Sequence, residues 1–180
     1  MNLRIEKVNR KNKDIKRIKE IYLDSFPKEE RMPFWLMRIM TKITSTEFLS
    51  FHDNDILCGF VYMATIEKLT FIMFIAVDNN IRSKGYGTAI LNEIQSMYED
   101  NKIITYIDLY DENAEDNDQR IRRKEFYLNN GYEETDYLVN SSKDIIQEVI
   151  VKNGEFDPEE FMEFFKKYSN GTQKPKIFKK

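Results

Sequence analysis

The chain has 180 residues, of which 41% are hydrophobic and 13% aromatic, and a formal net charge of −3. This is enough chain to bury one core, the weakly acidic balance gives no electrostatic reason to expect nucleic acid, and no apolar run approaches the roughly 20 residues of a membrane span. A single cysteine, Cys58, excludes an intramolecular disulfide, and the charged start Met1-Asn2-Leu3-Arg4-Ile5-Glu6 lacks a signal-peptide apolar stretch, so a soluble cytoplasmic protein is expected.

Leu3, Ile5 and Val8 alternate with charged residues as a first strand would. Ile15, Ile18, Ile21, Tyr22 and Phe26 then share one helical face, interrupted by Pro27. A second, short helix is expected over Phe34 to Met40. Thr46 to Phe51 and Ile56 to Ile66 read as strands joined by a hairpin turn at His52-Asp53-Asn54-Asp55. Leu69 to Val77 is a further apolar strand, followed by a polar turn at Asp78-Asn79-Asn80. Ala89, Ile90, Leu91, Ile94, Met97 and Tyr98 recur at helical spacing. Ile103 to Leu109 reads as a strand, Asp111 to Asp118 as an acidic connection, and Asn117 to Asn129 as a helix closed by Asn130-Gly131. Two final strands, Tyr132 to Val139 and Ile145 to Val151, flank a turn at Asn140-Ser141-Ser142-Lys143. Asp157 and Pro158 cap a last helix with an aromatic face of Phe161, Phe164, Phe165 and Tyr168, a candidate homodimer contact. The polar, basic residues 171–180 are expected to be a disordered tail.

The stretch that carries chemistry is Arg82-Ser83-Lys84-Gly85-Tyr86-Gly87-Thr88, between the strand ending at Val77 and the helix that follows. Glycines permit a sharp turn or a close approach of backbone to ligand. The first amides of a helix are unpaired, and the macrodipole makes that end positive. With Arg82 and Lys84 beside them, these groups suit a phosphate or pyrophosphate. A dinucleotide fingerprint would need glycine where Ile90 stands, and the P-loop order is absent.

The pattern Arg82-x-x-Gly85-x-Gly87 directly after a strand resembles the central motif of the GCN5-related N-acetyltransferase (GNAT) superfamily. A second resemblance lies in Phe126-Tyr127 followed by Gly131-Tyr132, the spacing at the end of that superfamily's penultimate conserved helix. The element order β-α-α-β-β-β-α-β-α-β-β also matches over most of the chain. The resemblance implies an α/β acyl-CoA N-acyltransferase fold with a mixed, mostly antiparallel sheet flanked by helices, spanning residues 1–170. It further implies that acetyl-CoA is the co-substrate, with its pyrophosphate on the amides from Ser83 to Thr88, including Tyr86, and its pantetheine along Ile75, Ala76 and Val77. An N–H of that strand, such as that of Val77, would steady the developing oxyanion. Asn117, Arg120, Lys124 and Tyr127 fall on one helical stripe, with Asn117 or Arg120 toward the pantetheine and basic residues toward the phosphates. The matching tyrosine, Tyr127, would be the acid that protonates the departing thiolate. A tyrosine near a helix end also commonly packs into the core with its hydroxyl satisfied.

The acceptor is expected to be a primary amine of a small molecule or a peptide. By the same resemblance, Glu29 and Glu30 would hold its ammonium group and Phe34 or Trp35 would wall its pocket; otherwise these residues are a charged helix start followed by core aromatics. Glu29, Glu30, Asp78, Asp108 or a water chain could serve as base. A non-catalytic acyl-CoA-binding sensor on the same fold is the alternative. An ordinary α/β domain binding some other phosphate is a third reading. One histidine and one cysteine exclude the common zinc sites, and Asp116 and Arg122 stand where a calcium loop needs glycine and glutamate. No metal is therefore expected. His52 reads as a solvated turn residue and Cys58 as a small core residue.

Overall fold

The computed structural model describes residues 1–142 and 145–180. Among the described residues it has an α/β fold of eight strands and five α-helices, with the mixed sheet expected. The elements in chain order are β1 (Arg4–Lys7), α1 (Ile15–Ser25), α2 (Phe34–Ile43), β2 (Thr46–Asp53), β3 (Ile56–Ile66), β4 (Leu69–Val77), α3 (Tyr86–Met97), β5 (Lys102–Asp108), α4 (Asn117–Asn129), β6 (Glu133–Ser142), β7 (Ile145–Lys152), α5 (Pro158–Tyr168) and β8 (Lys176–Lys179). Of the turn expected at residues 140–143, Lys143 lies outside the described residues. The chain divides into two compact units, Met1–Thr65 with Ile72–Glu99, and Ile66–Phe71 with Asp100–Lys180.

In the first unit the strand order is β1-β2-β3-β4, with β1/β2 and β2/β3 antiparallel. α1 ends at Ser25 because Pro27 pushes Phe26 out of helical geometry, to φ −128° and ψ 137°. Its face of Ile18, Ile21 and Tyr22 is buried with Met37 of α2 against Phe48, Phe60 and Tyr62 of the sheet. The hairpin between β2 and β3 is tighter than expected. Asn54, at φ +55°, makes the turn, and β2 runs on through Asp53 with a bulge between Phe51 and His52. His52 is thereby buried, not solvated. Cys58 is a buried free thiol, as a small core residue would be.

In the second unit the order is β5-β7-β6-β8, antiparallel throughout. Asp157 caps α5 by accepting from the N–H groups of Glu159 and Glu160. The aromatic face of α5, which the sequence offers as a dimer contact, is buried inside its own unit: Phe161, Phe164 and Phe165 surround Phe71, with centroids 5.3–6.2 Å away. Residues 171–180, expected to be a disordered tail, carry β8, which pairs with β6. Among the described residues no helix is long and apolar enough to cross a membrane.

Candidate active site

The residues expected to hold a phosphate lie in the first unit, where β4 passes into α3. Asp78, immediately after β4, donates its N–H to the Cys58 carbonyl at 2.9 Å and caps the 3-10 turn Asn79–Ile81 by accepting from Asn80 N–H at 3.0 Å. Its carboxylate takes a two-pronged contact from Arg17 of α1, Nε to Oδ2 at 2.8 Å and Nη2 to Oδ1 at 2.7 Å. The guanidinium holds the Asp78 carboxyl below the usual carboxylate range. This makes it a poor base.

The chain then turns through Ser83 at φ +62° and Gly85 at φ +82°, the residue that caps α3. A Cβ at Gly85 would meet nothing within 4 Å, so glycine is needed there for the left-handed backbone, not for space. Arg82, Ser83, Lys84, Gly85 and Thr88 are exposed. Among the described residues of this unit, no N–H from 83 to 88 donates to another group; the first to do so is Ala89, to the Gly85 carbonyl at 3.0 Å. Arg82 and Lys84 form no ion pair within it. Gly87 lies in the first turn of α3. Tyr86 anchors the loop by donating its hydroxyl to Asp53 Oδ2 at 2.9 Å. Among the described residues of this unit, this leaves a run of free amides at a helix start with two unpaired cations beside it, an arrangement of the kind that suits an anion.

β4 residues Ile75, Ala76 and Val77 precede this loop, and Gly59 of β3 explains their placement. A Cβ on Gly59 would stand 2.2 Å from the Ala76 carbonyl oxygen. Only glycine permits that approach. Neither Gly59 nor Arg17 stands out in the sequence, since each acts through a residue far along the chain.

Between α1 and α2, Tyr22 and Arg31 pin the connection. The Tyr22 hydroxyl donates to the Met32 carbonyl and accepts from the Met32 N–H at 3.0 and 2.8 Å. Arg31 donates to the Phe26 and Leu23 carbonyls at 2.6 Å each. Burial pushes the Tyr22 phenol up to about 12. Glu29 is exposed and Glu30 half-buried on this connection. Phe34 is half-buried against Tyr22 and Phe48, with centroids 6.1 and 5.6 Å away, whereas Trp35 is 63% exposed.

Tyr127, Asn117 and Arg120 lie on α4 of the second unit. Tyr127 is 4% exposed, between the rings of Phe126 and Tyr132. Burial raises its phenol above the ordinary value; Arg123 and a hydrogen bond with Thr105 oppose the shift, and Asp108 adds to it. Asn117 Oδ1 accepts from the Asp111 N–H at 3.1 Å, and Arg120 donates to Asp116 and to the Leu109 carbonyl at 2.8 and 3.1 Å. Both side chains thus brace the acidic connection. Lys124, grouped in the sequence with residues facing the phosphates, is instead ion-paired to Glu134 and Glu148. Asp108 is held by Arg123 at 2.6 Å and Gln147 at 3.0 Å, which occupies a second candidate base.

Ser50, His52 and Asp14 form an array with the outline of a hydrolase triad: His52 Nε2 is 3.1 Å from Ser50 Oγ, and Nδ1 is 3.8 Å from Asp14 Oδ2. Ser50 and His52 are both 0% exposed, so no substrate reaches the hydroxyl. Two surface cavities of the second unit, about 540 and 210 Å3, lie along α5 and include none of the predicted site residues. Among the described residues no three His, Cys, Asp or Glu side chains are grouped to hold a metal.

A family model described as the Acetyltransferase (GNAT) domain matches residues 44–134, just over half of the chain. No curated protein sequence matches it. Among solved structures, a protein described as a GNAT-family acetyltransferase from Bacteroides thetaiotaomicron is similar over 94% of this chain and 99% of its own, at a TM-score of 0.74 and 20% identity. An aminoglycoside 6'-N-acetyltransferase complexed with coenzyme A matches over 83% and 96%, at 0.62 and 16%. The PaiA N-acetyltransferase of Thermoplasma acidophilum, also in complex with coenzyme A, matches over 84% and 99%, at 0.57 and 15%. At these identities the likenesses speak for the fold. The family match spans β2 through α4, the loop between β4 and α3 included, and on that ground the chain belongs to the GNAT acetyltransferase family.

Proposed function

We propose that the chain transfers an acetyl group from acetyl-CoA to a primary amine, by direct attack in a ternary complex. The observation that carries this is the run of unpaired amides from 83 to 88, flanked by Arg82 and Lys84 at the start of α3. It suits a pyrophosphate, and two similar folds are described in complex with coenzyme A. Ser83, Lys84, Gly85, Tyr86, Gly87 and Thr88 would hold the pyrophosphate through backbone N–H groups. The main chain of Ile75, Ala76 and Val77 would hold the pantetheine, and Asn117 and Arg120 would border it.

When bound, acetyl-CoA supplies the thioester at which a C–N bond forms as the C–S bond breaks. The Val77 N–H steadies the negative charge that develops on the acyl oxygen. Tyr127 acts as general acid. Burial raises its pKa, which keeps the phenol protonated but makes it a weaker acid than a thiol of ordinary pKa about 8.5, so the proton passes to the sulfur in concert with C–S cleavage and not to a free thiolate. Glu29 and Glu30 hold the amine and Phe34 walls its apolar part; the proton that the nitrogen loses as the amide forms passes to one of these carboxylates or to a water chain, and Tyr127 regains its own proton from water once the thiol has left.

One observation favours the non-catalytic acyl-CoA sensor: Tyr127 is nearly closed to solvent and bonded to Thr105, as a core tyrosine would be. Release of free thiol from acetyl-CoA, followed across a panel of primary amines, separates the two. The enzyme turns over with at least one amine, and Tyr127→Phe loses most of that rate while still binding acetyl-CoA. A sensor shows binding without turnover, and Tyr127→Phe changes nothing.

A further inference from the structure

Glu148 is a carboxylate in the middle of β7, 3% exposed. Such a charge is tolerated only when each oxygen is paired. Oε2 takes the Lys124 ammonium of α4 at 3.0 Å, and Oε1 takes that of Lys180, just past β8. Lys124 also pairs with Glu134 of β6. In the strand register Glu148 stands opposite Ile107 of β5. Side chains alternate along a strand, so Thr105, two residues from Ile107, faces the same side. Thr105 is the hydrogen-bond partner of Tyr127. Lys124 and Tyr127 are three residues apart, hence neighbours on one helix face. α4 is therefore tied to one face of the sheet by two polar contacts a turn apart.

We propose that Glu148, acting through Lys124, is a positioning residue: it fixes the rotation and height of α4 so that the Tyr127 hydroxyl is held at Thr105, aimed for proton donation. Lys180 neutralises the second oxygen and lets the carboxylate stay buried. A buried ion pair adds little stability over apolar side chains of similar volume but can fix register, which is the property a proton donor on a helix needs. The proposal rests on Tyr127 being that donor.

The test is a four-corner cycle on the full chain with Lys124→Met, Tyr127→Phe and the double variant, plus Lys124→Arg. Lys124→Met lowers kcat about tenfold with the KM for acetyl-CoA within about twofold. Lys124→Arg restores most of the rate, and in the Tyr127→Phe background Lys124→Met has no further effect. An equal fold-loss in both backgrounds, or an unchanged kcat, overturns the proposal. A separate readout is the Tyr127 Cζ resonance in tyrosine-labelled protein. It shifts in Lys124→Met and returns in Lys124→Arg if the ion pair places the ring, and an unmoved resonance also overturns the proposal. If Tyr127→Phe alone leaves kcat intact, the donor role falls, while the Cζ shift still decides whether Lys124 positions Tyr127.

Discussion

Arg17 and Asp78 are 61 residues apart in the chain and joined by two parallel hydrogen bonds of 2.7 and 2.8 Å. The contact fixes α1 to the point where β4 gives way to the basic glycine loop. Asp78 thus has three tasks: its carboxylate takes Arg17 and caps the following turn, and its N–H pairs with Cys58.

Arg17→Met should cost about 1–2 kcal/mol in urea unfolding at pH 7, the range for a charged hydrogen bond discounted for partial exposure. Because Arg17 depresses the Asp78 pKa, this contribution is present above the unfolded carboxyl value near 3.9 and is lost as pH falls through the lower folded value. The wild-type advantage should therefore vanish in strong acid. An equal advantage at pH 2 would show that the ion pair is not its source.

Gly59→Ala should damage the strand that is to hold the pantetheine. The new methyl would sit 2.2 Å from the Ala76 carbonyl oxygen, a backbone atom that cannot swing away. Overpacking of this kind costs about 1–3 kcal/mol. A lower Tm together with an acetyl-CoA Kd raised at least about tenfold is expected. Unchanged affinity would separate this part of β4 from the cofactor.

Gly85→Ala forces a Cβ into a left-handed conformation at φ +82° without a clash, which costs about 1–2 kcal/mol. The fold should survive and the loop should loosen. Titration should show several-fold weaker acetyl-CoA binding, with a nearly unchanged far-ultraviolet spectrum. Full affinity would mean that the loop geometry is irrelevant to binding.

His52 gives the fold a pH response. Burial is the main cause of its lowered pKa, with Arg4 adding to it and Asp14 opposing. The unfolded chain takes up a proton at the ordinary imidazole pKa near 6.5, and the folded chain only at lower pH. Stability should be level above that value and fall as pH drops below it. His52→Gln should flatten the fall between pH 7.5 and 5.5 in urea titrations. An unaltered slope would assign it to other groups.

The parts of this molecule that depend on neighbours in sequence were readable. The apolar run of β4, the basic glycine loop and the 3.6-residue period of α3 are local patterns, and Asp157-Pro158 announces α5. What depended on distant pairing was not. His52 read as a turn residue because a bulge after Phe51 breaks the period-two alternation of β2. β8 is four residues long and exists through its pairing with β6. The aromatic stripe of α5 reads equally well as an interface or a core, and Phe71, far along the chain, makes it core. Lys124 looked like a ligand-facing cation until Glu148 and Glu134 came beside it.

The central claim, that the loop between β4 and α3 holds acetyl-CoA, is tested most directly by calorimetric titration of the purified protein with acetyl-CoA, with ADP as control. Binding of acetyl-CoA at micromolar concentration or tighter, with little response to ADP, is the predicted result. No heat of binding at high protein concentration, or equal affinity for ADP, would contradict it.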